Sequence, residues 1–333
     1  MIASKGCSLT GAALFIFIRS AIFGIMKNNT RQHLSNSYPP QSVRGILQNL
    51  LKLIRPYQYT KNLFIFLPAF FDFRMDDPQV VERTLAAFAA FSMAASAVYI
   101  FNDWMDREED ALHPGKKHRP LAAGYLAPSY AFMLMGLLLA GTLLISSMLS
   151  PAMVLLTAGY VILNGWYSWQ LKHIPILDVT VIGLGFVIRL MVGSDAADVS
   201  LSPWIIVLTF LLALFLSFAK RRDDILLRKD TSPSAGKPTV YSLKFIDSSM
   251  VMTASIVVVA YVLWTFSTEI SDRLEQESLY LTSLFVILGI LRYMYITFVE
   301  EKSGNPSLIL LRDRFLQLVL TGWLASLIWI LYV

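Results

Sequence analysis

Apolar residues in this chain gather into long runs separated by short polar segments. A bilayer core takes about 20 apolar residues per helix, with a range of roughly 17–25. Nine stretches meet that measure, over residues 62–80, 84–101, 126–147, 151–168, 175–193, 203–219, 249–267, 279–299 and 315–333. The first is the least regular, because Asp72, Arg74, Asp76 and Asp77 crowd its end. Glycine and proline inside several stretches are ordinary for membrane helices. No loop alternates with the period of two that a membrane barrel requires. The pattern predicts an all-α polytopic membrane protein with nine transmembrane helices. Residues 1–50 read as an N-terminal lead-in and 51–333 as a single transmembrane domain. Within the lead-in, "AALFIFIRSAIFGI" is too short and interrupted for a span, and translation is expected to begin at Met26. Residues 27–50 read as a polar arm followed by a short amphipathic helix on the membrane surface.

Composition removes the soluble alternatives. The chain is 56% hydrophobic and 15% charged, with a mean hydropathy of +0.57, whereas soluble domains carry roughly 25% charged residues. Cys7 is the single cysteine, so no intrachain disulfide forms. The net charge of +5 matters through its distribution. Segments 26–61, 102–125, 169–174, 220–248 and 292–314 hold 22 of the 28 basic residues, and the opposite loops hold only Arg74, Arg83 and Arg273. The positive-inside rule puts those five segments and the N-terminus in the cytoplasm, and the C-terminus outside. The expected location is the cell's inner (plasma) membrane. Membrane lipids are the surroundings, no feature points to nucleic acid, and a homo-oligomer is compatible with the pattern.

Charges at the ends of membrane helices are functional candidates by default. "FNDWMDREED", residues 101–110, places Asp103, Asp106, Glu108, Glu109 and Asp110 at the mouth of an apolar run. On a helix, Asn102, Asp106 and Asp110 fall at i, i+4 and i+8, with Asp103 beside them. Hard oxygen donors in that array suit Mg²⁺ bridging to phosphate. Glu108 and Glu109 read as solvated charges. "HPGKKHRPLAAG", residues 113–124, then supplies Lys116, Lys117 and Arg119, the cationic half of a polyphosphate site. His113 and His118 lack metal-ligand spacing and read as loop residues. "YSWQLKHIPILD", residues 167–178, offers Tyr167 and Lys172, with Asp178 closing a short loop. Arg189 lies well inside the next span, where an internal acid or an anionic lipid group is its expected partner. "FAKRRDDILLRKD", residues 218–230, brings Lys220, Arg221, Arg222, Asp223 and Asp224 to a span end. No Ser-His-Asp order, P-loop or dinucleotide fingerprint occurs. These features predict metal-assisted handling of a diphosphate at the cytoplasmic surface, beside an apolar bundle that holds a lipid chain.

"NDWMDREED", residues 102–110, fits the NDxxDxxxD pattern of the UbiA superfamily of membrane prenyltransferases, and nine spans match that fold. Most of the superfamily has a second DxxxD motif after the sixth span, and here "AKRRDD" stands there with Asp224. The chain more closely resembles the decaprenyl-phosphate phosphoribosyltransferase branch, over roughly residues 50–333. The resemblance is carried by "RPYQYTKN" (55–62), "NDWMDREEDALHPGKKHRPLAAG" (102–124), "YSWQLKHIPILD" with "GFVIRLMVG" (167–193), "AKRR" (219–222) and "LRYMYITFVEEKSGNPSLILLRD" (291–313). It implies that phosphoribosyl pyrophosphate and a polyprenyl phosphate are the substrates. Asn102, Asp103, Asp106 and Asp110 would hold Mg²⁺ on the donor diphosphate. Lys116, Lys117, Arg119, Lys220, Arg221 and Arg222 would stabilise the departing charge. Arg55, Lys61 and Asn62 are candidates for the 5-phosphate or the lipid phosphate. Tyr167 and Lys172 would orient a substrate, and Arg292, Tyr293 and Asp313 would close over the site. The alternatives are transfer of a prenyl group from its diphosphate to an aromatic acceptor and, more remotely, anion transport. Transport is disfavoured because the charges cluster at one face and no paired repeats are visible.

Overall fold

The computed structural model describes residues 42–112, 115–231, 241–267, 277–301, 309–310 and 312–332, and these residues contain helices and turns but no strand. Residues 1–41 of the lead-in, with Cys7 and Met26, lie outside the described residues, as does His113. The order is α1 (Val43–Ile54), a 3-10 segment (Pro56–Phe66), α2 (Leu67–Phe71), α3 (Pro78–Met105), α4 (Arg107–Leu112), α5 (Pro128–Leu149) and α6 (Pro151–Trp169). A 3-10 turn (Leu171–His173), α7 (Leu177–Ala197), α8 (Pro203–Thr231), α9 (Leu243–Thr265), a 3-10 turn (Glu277–Thr282), α10 (Ser283–Phe298) and α11 (Arg314–Tyr332) follow. Among the described residues, six helices are long and apolar enough to cross a membrane: α3, α5, α7, Pro203–Leu226 of α8, α9, and Ser278–Phe298, which includes α10. The expected runs 151–168 and 315–333 coincide with α6 and α11.

The starts are chemically marked. Asp77 caps α3 by accepting from the Gln79 N–H at 2.9 Å, with Pro78 at the first position. Ser150 and Ser242 cap α6 and α9 in the same way. α3 is the central post, packed on α5, α6 and α7. Its Ala87, Ala90, Ala94, Ala95 and Ala97 are all buried, and such small side chains let neighbouring backbones close in without a bulky interface. α5 turns Met133, Leu137, Leu144 and Met148 outward, the surface expected to meet lipid. A second core joins α8, α9, α10 and α11 through Phe215, Ile246, Met250, Tyr293 and Leu316.

Two elements differ from the pattern-based expectation. Residues 62–80 do not form one helix. The 3-10 segment and the short α2 occupy that stretch, and Phe73 then turns the chain at φ 59° before α3 begins. The segment lies against α7 at Gly193, where an added Cβ would stand 2.0 Å from the Ile65 carbonyl oxygen. Close backbone packing of this kind takes the place of an independent span. The other difference is at α8, which runs on past residue 219 to Thr231. "KRRDD" is therefore helical, and successive side chains there point about 100° apart.

Candidate active site

The ends of α1, α3 and α6, the start of α7 and the Lys220–Arg221 turn of α8 meet at one end of the bundle, and ion pairs and hydrogen bonds join them. α1 stops at Arg55, which adopts the left-handed conformation (φ 54°) just before Pro56. The side chain then reaches Asp103, with Nη2 donating to Oδ1 at 2.5 Å. Arg119 donates from one nitrogen, Nη1, to Asp103 Oδ1 at 3.0 Å and to Asp110 Oδ2 at 2.6 Å. Lys116 approaches Asp110 at 3.7 Å. One turn along, Asp106 receives the Lys172 ammonium on Oδ1 and the Asn102 amide on Oδ2 at 3.0 Å. Asn102 Oδ1 in turn accepts from the Ser168 hydroxyl at 3.0 Å. Asp103 and Asp110 are each 2% exposed, while Glu108 is exposed and pairs with its neighbour Arg107.

A second cluster faces the first. Arg221 donates from Nε to Asp178 at 2.9 Å, from Nη2 to the Tyr167 hydroxyl at 3.2 Å, and from Nη1 to Asp224 at 3.4 Å. Lys220, on the same turn of α8, interacts electrostatically with Lys116, Arg119 and Asp224. Lys61, from the 3-10 segment, interacts with Lys220, Arg189 and Arg55. Burial first, and then those three positive neighbours, push its pKa down to about 8. Among the described residues, neither Lys61 nor Lys220 has an ion-pair partner. The assembly therefore sets seven cations (Arg55, Lys61, Lys116, Arg119, Lys172, Lys220 and Arg221) against five carboxylates (Asp103, Asp106, Asp110, Asp178 and Asp224).

Other expected site residues are placed elsewhere. Arg222 is 7% exposed and points from α8 toward α9 and α10, donating to Asp247 at 3.0 Å and to the Thr297 carbonyl at 2.8 Å. Its one-residue offset from Arg221 turns it out of the cluster. Arg292 pairs with Asp313 at 2.6 Å and Glu300 at 3.1 Å, and Asp313 also caps α11 through the Leu316 N–H. Tyr293 is buried against Phe215 in the second core, and its hydroxyl has no hydrogen-bond partner among the described residues. Lys117 is exposed. Asn62 is 1% exposed and bonds Ser92 and Arg189. Arg189 has no carboxylate within ion-pair distance among the described residues. It donates to Asn62 Oδ1, the Gly185 carbonyl and the Tyr160 hydroxyl, and lies over the rings of Phe91, Tyr160 and Phe186. Among the described residues, neutral oxygens and aromatic faces stand in the place of the expected internal acid.

Spacing alone overlooked Ser168 and Tyr241. Ser168 adjoins Tyr167 at a helix end, a position that signals it. Tyr241 has no local signal, because its contacts arise only from tertiary structure.

Among the described residues, no three acidic, His or Cys side chains converge as a metal cluster. The donor chemistry still fits a hard cation. Asp103 and Asp110 already share one cationic point at Arg119 Nη1, and Asp106 with Asn102 brings further oxygens on the next turn.

The sequence model of the UbiA prenyltransferase family matches residues 66–319. A decaprenyl-phosphate phosphoribosyltransferase of Mycolicibacterium smegmatis is 31% identical over 307 residues, covering 88% of this chain and 96% of that protein. Its counterpart in Corynebacterium glutamicum is 28% identical, covering 88% of this chain and 90% of that protein. Among solved structures, a UbiA homolog from Archaeoglobus fulgidus bound to GPP and Mg2+ superposes with a TM-score of 0.64 at 20% identity, covering 86% of this chain and all of that one.

Proposed function

Because the chain belongs to the UbiA prenyltransferase family and is a transferase, we propose that it moves 5-phosphoribose from phosphoribosyl pyrophosphate to a polyprenyl phosphate and releases diphosphate. The observation that carries this reading is the charge arrangement: paired acids on α3 and α4, with a surplus of cations facing them from the 3-10 segment and α8. A prenyl donor with an aromatic acid brings two anionic groups, a diphosphate and a carboxylate. A phosphosugar donor with a lipid phosphate brings several, and the surplus matches that demand. The relatives' names supply the ribosyl donor and the polyprenyl acceptor.

In the reaction, an oxygen of the lipid phosphate bonds to ribose C1 as the bond from C1 to the diphosphate oxygen breaks. A phosphate is already an anionic nucleophile at neutral pH, so no strong general base is needed. Asn102, Asp103, Asp106 and Asp110 would hold Mg²⁺, which would supply positive charge to the diphosphate. Arg119, Lys116 and Lys172, which now pair with those carboxylates, would bind phosphate oxygens. Lys220 and Arg221 approach from the opposite side and stabilise the departing charge. Lys61 and Arg55 take the lipid phosphate or the 5-phosphate, and Tyr167 with Lys172 orients the donor. Arg189 and Asn62 act behind Lys61 by keeping the interior positive. The concentration of Lys and Arg in segments 26–61, 102–125, 169–174, 220–248 and 292–314 supports placing the N-terminus and the site on the cytoplasmic side of the plasma membrane.

The test is direct. Membranes carrying the protein are incubated with labelled phosphoribosyl pyrophosphate, Mg²⁺ and polyprenyl phosphate, and label is sought in the lipid phase. Transfer that fails in Asp106→Asn, with normal insertion, supports the reading. Transfer only from a prenyl diphosphate to an aromatic acid refutes it.

A further inference from the structure

Arg221 is held in one orientation by residues that have no part in the chemistry above. Asp178, in the first turn of α7, is 3% exposed and accepts from Arg221 Nε on one oxygen. Its other oxygen accepts from the Tyr241 hydroxyl at 2.5 Å. The same hydroxyl accepts from the backbone N–H of Ile176, also at 2.5 Å. Tyr241 sits beside the Ser242 cap of α9, is buried, and stacks on Phe245 at 5.6 Å. Burial, then the bond to Asp178, push its pKa up to about 12, so the hydroxyl keeps its proton throughout the neutral range.

The turn that Tyr241 grips is strained. Ile176 has φ 70°, a conformation that is an outlier for a β-branched residue. Such backbones persist where the surroundings over-determine them, and they concentrate at functional sites. Asp178 lies two residues further on, so the turn that Tyr241 fixes also places that carboxylate. The guanidinium is a rigid fork of five donors. Asp178 holds its Nε, while its two terminal nitrogens make only longer contacts, to Tyr167 and Asp224, and the side chain is 28% exposed. One edge is anchored by the shorter bond, and the other makes the longer bonds, which a ligand would compete for.

We propose that Asp178 and Tyr241 are positioning residues that aim the more weakly held edge of Arg221 at the diphosphate. The proposal rests on the functional reading above, which makes Arg221 a diphosphate contact. It is tested by a double-mutant cycle on the full-length chain in detergent, reading the affinity for inorganic diphosphate with Mg²⁺ by calorimetry. Tyr241→Phe is expected to weaken binding about tenfold, in the range of coupling between residues of one hydrogen-bond network. In an Arg221→Ala background, the same change is expected to add less than about twofold. A structural latch without this role would weaken both backgrounds equally, and that result overturns the proposal, as does unchanged affinity in Tyr241→Phe alone. Where Arg221→Ala fails to fold, Arg221→Lys keeps the charge but removes the fork, and the same reading applies. A chain that shows the cycle but transfers no ribosyl group sinks the reaction and leaves the positioning intact. Wild-type protein that binds no diphosphate sinks both.

Discussion

Arg119→Ala removes the one nitrogen that Asp103 and Asp110 share. The two accepting oxygens lie 3.0 and 2.6 Å from it, so they are no further apart than those two lengths laid end to end. At roughly 5.5 Å and an effective dielectric constant near 20, two carboxylate charges repel by about 3 kcal/mol. Part of this is already offset. Arg55 remains 2.5 Å from Asp103, and Lys116 remains 3.7 Å from Asp110. Arg119 is itself a quarter exposed, so water takes over some of its role. A net loss of about 2–3 kcal/mol follows for the metal-free protein, and at roughly 2–4 °C per kcal/mol the melting midpoint falls by about 4–12 °C. The assay is intrinsic tryptophan fluorescence during thermal unfolding in detergent, with and without Mg²⁺. If the shared point is a cation position, millimolar Mg²⁺ raises the variant's midpoint more than the wild type's, and KCl at matched ionic strength does not. An unchanged midpoint without metal, or equal recovery in KCl, would refute the reasoning.

Lys61 gives a pH prediction. Its pKa of about 8 lies below its ordinary value of 10.5, so between those two the unfolded chain binds the extra proton and this residue's contribution to stability rises with pH. Anion binding runs in the opposite direction: diphosphate affinity falls as pH rises through about 8, and Lys61→Arg flattens that limb. A wild-type titration flat from pH 7 to 9 would count against the assignment. Arg222→Ala strips the buried bonds to Asp247 and the Thr297 carbonyl, and is expected to cost about 2–4 kcal/mol in thermal stability while leaving the donor KM of the folded protein unchanged. A raised KM with normal stability would return Arg222 to the substrate. Gly193→Ala forces a methyl against the Ile65 carbonyl and is expected to lower stability by about 1–3 kcal/mol, whereas Gly159→Ala, with nothing within 4 Å, is the silent control; equal melting midpoints in the two variants would show that the close contact is not needed.

Local spacing was enough to divide the acids of residues 101–110, because a helical repeat decides which of them turn inward. Asp103 and Asp110 are buried while Glu108 is exposed, as their positions relative to Asn102 imply. Run length likewise marked the apolar helices, since burial in lipid needs only hydropathy and reach. The 62–80 run misled for a physical reason: apolar composition does not distinguish a helix that meets lipid from a 3-10 segment wedged against a glycine of α7.

What spacing does not supply is the partner of each charge. Arg221 and Arg222 are neighbours of the same type, and both read as one basic block. One enters the site and the other clamps α9 and α10, because a helix turns each residue by about 100° and the acids that receive them sit on different elements. Arg189 shows the same limit from the other side. A buried guanidinium in an apolar span calls for compensation, but the chain supplies it through Asn62, Gly185, Tyr160 and aromatic faces drawn from several elements. Neutral partners leave its positive charge uncancelled, and that charge helps push the pKa of Lys61 down. An acid at Asn62 would have neutralised Arg189 locally and relieved Lys61. The amide instead satisfies Arg189's hydrogen bonding and leaves its charge acting on Lys61, so the identity of one buried neutral side chain bears on the protonation of a cation in the candidate site.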